Sequence, residues 1–118
     1  MATSTKNTTK QKEPKVPFYD LELVRFLIKD GTGLDIAYAY EDLVFSEHGI
    51  FIIQFIGESS QNLACWFNQE CNESDRKNLF ASLLKSAGLN GFEIVYKGKF
   101  SMQQKENSEE IDLKFEME

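Results

Sequence analysis

Large apolar residues alternate with small or acidic residues in the segment GLDIAYAYED, which places Leu34, Ile36, Tyr38 and Tyr40 on one side. A period of two is typical of a β-strand with one buried face. The same period recurs in IDLKFEM near the end of the chain, where apolar residues alternate with charged ones. The pattern therefore predicts a strand at each place, with one apolar and one polar face.

The segment EHGIFIIQFIGE departs from this pattern, because both faces of a strand from Ile50 to Ile56 would be apolar. One of these faces must meet something that the other strands do not meet. Two alternatives remain open: another chain, most simply a second copy, covers that face, or a strongly twisted sheet covers it with its own side chains. The first alternative defines a candidate interface, formed by Ile50, Phe51, Ile52, Ile53, Gln54, Phe55 and Trp66.

Two segments have apolar residues at helical spacing. In NESDRKNLFASLLKSAGLNG the apolar residues form one stripe, Ser74 can cap the first turn and Gly88 ends the helix. In FYDLELVRFLIKD a similar stripe follows Asp20 as N-cap, with Gly31 just past the end. The apolar residues of this first segment also alternate, so residues 18–29 are compatible with either a short helix or a strand.

Further strands are predicted at Leu43–Phe45, in LACWFNQE and in FEIVYKGKFSM, with polar turns between them. Whether the first two strands of the chain are one bent strand is left open. The predicted fold is a single α+β domain of order α-β-β-β-α-β-β, with an antiparallel sheet of about five strands and one or two helices.

This order of elements, over about residues 18–117, resembles the small acidic chaperones of type III secretion systems. The resemblance implies a protein-binding role and transfers no site residues. Those chaperones usually end in a further helix, whereas this chain ends in a predicted strand.

Composition and charge divide the chain in two. Its 118 residues fit one domain, and the formal net charge is −6. Residues 1–17 carry four lysines against Glu13 alone, a net charge of +3, and predict a flexible basic tail before a single domain at 18–118. That domain has 9 basic and 18 acidic residues, a net charge of −9. So acidic a domain repels phosphate backbones, which argues against binding of nucleic acid.

Other features narrow the location and the chemistry. The sequence has no apolar run of about 18 residues and its N-terminus lacks an apolar signal region, so a cytoplasmic protein without membrane attachment is expected. Cys65 and Cys71 are expected to be free thiols, since they lack the spacing and the partners of a zinc site. His48 is interpreted as a turn residue, and the glycines of KDGTGLD follow a helix instead of opening one. No catalytic residue, metal or cofactor is predicted.

The leading hypothesis is a non-enzymatic protein-binding module, an adaptor, chaperone-like protein or assembly component, that binds a protein partner or forms a homodimer. It would act through an apolar sheet face with acidic surroundings. One alternative is a small-ligand-binding or enzymatic domain with a pocket between helix and sheet, using Tyr38, Tyr40, Trp66 or His48. Another is an acidic inhibitor or immunity-type protein, whose binding would depend strongly on salt.

Overall fold

The computed structural model describes residues 20–57, 61–104 and 111–118. The predicted flexible tail at 1–17 lies outside these residues. The described elements are, in chain order, α1 (Leu21–Thr32), β1 (Ile36–Tyr40), β2 (Leu43–Ser46), β3 (Phe51–Phe55), β4 (Asn62–Asn68), α2 (Glu73–Leu89), β5 (Glu93–Gln104) and β6 (Ile111–Met117). A 3₁₀ turn at Glu47–Gly49 connects β2 to β3.

The fold is a single α+β domain, as predicted, but its sheet has six strands and is mixed. The strands lie in the order β1-β2-β3-β4-β5-β6. All neighbours are antiparallel except β4 and β5, which are parallel. The prediction of about five strands in an antiparallel sheet is therefore wrong in both respects. Parallel strands need a long crossover connection, and α2 supplies it between β4 and β5.

The sixth strand comes from the first hairpin. Tyr40 pairs with Leu43 across a turn of two residues, Glu41 and Asp42, so β1 and β2 are separate strands and not one bent strand. Glu41 has a φ of 54°, a left-handed conformation that such tight hairpin turns require.

The pattern of residues 18–29 fitted either a helix or a strand, and in the structure Leu21–Thr32 forms the helix α1. The Asp20 carboxylate accepts a hydrogen bond from the backbone N–H of Leu23 at 3.0 Å, and Gly33 ends the helix with a φ of 79°. Gly31, predicted just past the end, lies inside the helix. A Cβ there would lie 3.0 Å from the carbonyl oxygen of Ser82 in α2, so the glycine allows the two helices to approach closely.

The bounds of α2 also differ from the prediction. Its N-cap is Asn72, whose side chain accepts a hydrogen bond from the backbone N–H of Asp75 at 2.8 Å, and Ser74 lies inside the first turn. The helix continues past Gly88 to Leu89, and Asn90 caps it. Ser74 lies two residues after the cap, and Asn72 takes this role because it already has the extended backbone of an N-cap.

Both helices pack on the same side of the sheet, which we call the helix-covered face. Val24, Leu27 and Ile28 of α1 are fully buried there. Leu83 and Ala87 of α2 are buried in the same cluster. The strand residues of this core are Val44, Phe51, Ile53, Phe55, Leu63, Cys65, Phe67 and Ile94. The opposite side of the sheet, the helix-free face, carries neither of the two described helices.

Candidate functional site

Apolar side chains occupy the helix-free face across all six strands. Because side chains alternate between the faces of a strand, the pairing register identifies the residues that share this side. One row crosses the whole sheet from edge to edge, through Tyr38, Phe45, Ile52, Trp66, Gly98 and Met117. A second row runs beside it through Tyr40, Leu43, Gln54, Ala64 and Val95. Phe100 and Met102 of β5 extend the surface, opposite Phe115 and Leu113 of β6.

Neighbouring side chains cover the centre of this face. Ile52 and Phe100 are buried, and Phe45 and Trp66 are at most 8% exposed. The ring of Tyr38 stacks on Phe45 with centroids 4.4 Å apart. Phe115 packs against Trp66 at 4.6 Å. The centre is therefore a small second core built by the strands themselves.

The margin of the same face exposes large apolar side chains. Tyr40 is 62% exposed and Met117 is 70% exposed, at opposite edges of the sheet. Four further side chains on this face are exposed to a lesser degree: Tyr38, Val95, Met102 and Phe115. Tyrosine, phenylalanine and methionine are enriched in protein interfaces.

Among the described residues, few charged side chains lie on the helix-free face. In the rows described above, the side chains are apolar or, for Gln54, uncharged. The register places Glu93 on this side, at the start of β5, where it pairs with Asn62. The charged residues of the β5–β6 hairpin, Lys99, Asp112, Lys114 and Glu116, occupy the alternate positions. The β5–β6 hairpin thus turns its apolar side away from the helices. In a two-layer domain with nothing packed on its second face, the charged side would be expected there instead.

The amide side chain of Gln54, in the second row, is hydrogen-bonded within the chain. The Trp66 indole N–H donates to Oε1 of Gln54 at 3.0 Å. Nε2 of Gln54 in turn donates to Oδ2 of Asp42 at 3.0 Å. With Glu41 and Glu93, this aspartate makes one end of the face acidic. A partner would therefore meet an apolar surface with an acidic end.

The structure divides the predicted interface residues between the two faces. Phe51, Ile53 and Phe55 lie in the core beneath the helices, and Ile50, just before β3, packs against that core. Ile52, Gln54 and Trp66 lie on the helix-free face. Sequence reasoning did not identify the contribution of Val95, Met102, Phe115 and Met117. The alternation in β5 and β6 was the available signal, but it indicates no side of the sheet by itself.

A separate cleft lies on the helix side, between the 3₁₀ turn and the start of α2. Its volume is about 520 Å³, and its lining includes His48, Cys71, Asp75 and Asn78. The tyrosines and tryptophan proposed for a ligand pocket lie on the other face, so the structure does not bring them together with His48. Among the described residues no group of three or more His, Cys, Asp or Glu could hold a metal ion.

Both cysteines are free thiols of low reactivity. Cys65 is buried in the core, and burial raises the pKa of its thiol. Partial burial, and then the nearby Asp75 carboxylate, raise the pKa of the Cys71 thiol. A thiol with a raised pKa is mostly protonated at neutral pH, and the protonated form is a poor nucleophile. The cleft therefore contains no activated cysteine.

Comparison with known proteins adds no family assignment: the chain matches no protein-family model, no curated protein and no solved structure. The resemblance to secretion chaperones rests on the order of elements alone. Neither described helix is long and apolar enough to span a membrane.

Proposed function

We propose that this chain is a non-enzymatic protein-binding module that acts through the helix-free face of its sheet. The observation that carries the proposal is the uncharged row from Tyr38 to Met117, with exposed aromatic and methionine side chains at its margin. Soluble monomers rarely expose contiguous apolar patches of more than a few hundred Å² unless the patch has a function. Adaptor, chaperone-like and assembly roles all fit such a surface.

The size of the face suits a protein partner. Six strands spaced about 4.8 Å apart span roughly 24 Å, and three rows of side chains along the strands span roughly 14 Å. With the width of the side chains added, the projected area is on the order of 500 Å². A standard interface buries about 800 Å² of accessible surface on each partner, and weak or transient interfaces bury less. Because the central side chains are at most 8% exposed, this face falls in the smaller class.

The two alternative functions stay hypotheses. An acidic inhibitor would use the net charge of −9 over residues 18–118 and would lose affinity as salt is added. A ligand-binding domain would use the cleft beside His48, away from the sheet face. The expected cytoplasmic location also stays a prediction.

The experiment compares three immobilised variants with the wild type in capture from a cell lysate. Tyr40→Asp and Met117→Asp place a charge on the helix-free face, and Leu89→Asp is the matched control on α2, where the side chain is 75% exposed. We expect the wild type and Leu89→Asp to retain the same proteins and the two face variants to lose them, since a buried unpaired charge is costly. Each captured protein is then purified and its affinity measured by calorimetry.

Circular dichroism and thermal unfolding of all four proteins establish that the variants are folded. Retention of the same partners by the face variants would contradict the proposal, as would a wild type that retains no more than bare resin and does not associate with itself in solution. Loss of binding in Leu89→Asp alone would locate the binding surface on the helices instead.

A further inference from the structure

We infer that the partner on the helix-free face is a second copy of this chain, bound face to face in a symmetric dimer. The inference rests on the proposed function, because it names the protein that the face binds. A symmetric dimer needs a surface that complements itself, and an uncharged apolar surface meets this requirement without matching any charge.

The charge distribution favours contact between copies at this face. Residues 18–118 carry a net charge of −9, so two copies repel each other over most of their surface. On the helix-free face, the row of six residues from Tyr38 to Met117 contains no charged residue. Two copies can meet there without desolvating an ion or opposing two carboxylates.

The described basic residues point to the same partner. Five of them lie on the helices: Arg25, Lys29, Arg76, Lys77 and Lys85. Lys99 and Lys114 occupy strand positions that alternate with the apolar ones of the helix-free face, and Lys97 lies at the bulge of β5, where it is partly buried. An acidic partner would therefore find little positive charge within this face. A basic partner would find the described carboxylates at the ends of the strands and none in the row between them.

Acidic residues lie at both ends of the strands: Glu41, Asp42 and Glu93 at one end, and Glu47 and Glu70 at the other. Charge at the ends therefore does not select one orientation of the two-fold axis. The uncharged row between the two ends makes the contact, and the helices lie on the two outer sides of the dimer.

The test measures the molar mass in solution by light scattering and sedimentation from about 1 to 100 µM, which brackets a micromolar dissociation constant. Each series is run at low salt, about 50 mM, and at high salt, about 500 mM. We expect the mass to rise with concentration from 13.6 kDa to twice that value. We expect dimerisation to be equal or tighter at high salt, because salt screens the remaining repulsion between acidic residues.

Two substitutions of opposite charge at one position distinguish a dimer held by apolar contacts from one held by ion pairs. Tyr40→Asp and Tyr40→Lys each put a charge into the dimer contact, so each should raise the dissociation constant by about tenfold or more. Leu89→Asp should leave it unchanged. If circular dichroism shows that either Tyr40 variant is unfolded, Met117→Asp at the opposite edge of the sheet replaces it.

Three results would overturn the second copy as the partner. They are a monomer at 100 µM in both salts, a dimer that the Tyr40 and Met117 variants do not weaken, and a dimer that dissociates as salt is added. The proposed function has its own outcome: if the chain is monomeric but captures another protein through Tyr40 and Met117, only the self-association fails. If face-dependent capture is absent as well, both fail.

Discussion

Ser46 shows how one buried hydroxyl determines the path of the chain between β2 and β3. Its side chain is buried, and its Oγ accepts hydrogen bonds from the backbone N–H of Phe51 at 3.0 Å and of Ile50 at 3.2 Å. The same hydroxyl donates to the carbonyl of Glu47 at 3.1 Å. This small network starts β3 in the register that sends Phe51 towards the helices.

We expect Ser46→Ala to lower the free energy of unfolding by about 1–3 kcal/mol, because it leaves buried backbone N–H groups without an acceptor. Urea denaturation followed by circular dichroism measures the change. Ser82→Ala, at an exposed position of α2, is the matched control and should have little effect. Equal stability of Ser46→Ala and the wild type would show that the hydroxyl is not needed for this turn.

The two thiols should differ in how they react with iodoacetamide. Cys65 is fully buried and should react only after unfolding, whereas Cys71 is partly accessible. Its raised pKa should make Cys71 slower than an unperturbed thiol at pH about 8, and the rate should still be climbing at higher pH. Mass spectrometry counts the labelled sites, with Cys71→Ser as control. Rapid modification at neutral pH would contradict the low reactivity assigned to the cleft.

At the scale of elements, β6 depends on a glycine in β5. The register between β4 and β5 shifts at Lys97, and the next residue, Gly98, pairs with Met117. A Cβ at Gly98 would lie 2.9 Å from the Cα of Met117 and would collide with the carbonyl oxygen of Glu116. The glycine thus allows β6 to complete the helix-free face.

We expect Gly98→Ala to destabilise the protein by about 1–3 kcal/mol, since the backbone of β6 must move away. Gly88→Ala is an informative control, because a Cβ there meets no atom within 4 Å and alanine favours the helix interior. The two substitutions should therefore shift the urea midpoint in opposite directions. A Gly98→Ala variant as stable as the wild type would contradict the close approach of the two strands.

The sequence predicted most of the elements because their patterns are local. The period of two located β1, β3, β4, β5 and β6, and the helical stripe located α2. Their arrangement was harder to predict. The helix between β4 and β5 was the signal for a parallel pair, but an antiparallel sheet was predicted instead. Gly31 is typical of a helix end by composition, and only the neighbouring helix explains why it lies inside one.

At the scale of the whole molecule, the candidate site was predicted in part. The pattern of β3 indicated that one of its faces needs a cover other than the helices. It could not indicate which face, because both Phe51 and Ile52 are apolar and only the packing of α1 and α2 distinguishes them. The exposed margin at Met117 depends on the bulge at Lys97 and on a long-range pairing, which no local pattern contains.

The acid stability of the whole domain should reflect two carboxylates at opposite ends of the structure. The hydrogen bond from Arg25 lowers the pKa of Asp35, and that from Tyr96 lowers the pKa of Glu118. A carboxylate whose pKa is lower in the folded state adds stability above its unfolded pKa. That stability is lost as the pH falls through the folded value.

We therefore expect the urea midpoint to fall as the pH drops from about 5 to about 3. The double variant Asp35→Asn with Glu118→Gln should be less stable at neutral pH and should show a shallower decline in acid. Glu22→Gln, at an exposed position of α1, is the single-charge control. A double variant with the same slope as the wild type would show that other carboxylates dominate acid unfolding.

The hydrogen-bonded position of Trp66 gives the molecule an optical reporter of its own. It is the single tryptophan of the chain, and its indole lies in the helix-free face, bonded to Gln54 and packed against Phe115. A molecule that binds over Phe115 on this face changes the motion of that ring and the environment of the indole beside it. The emission maximum and anisotropy of the unlabelled protein should therefore report occupancy of the face during a titration.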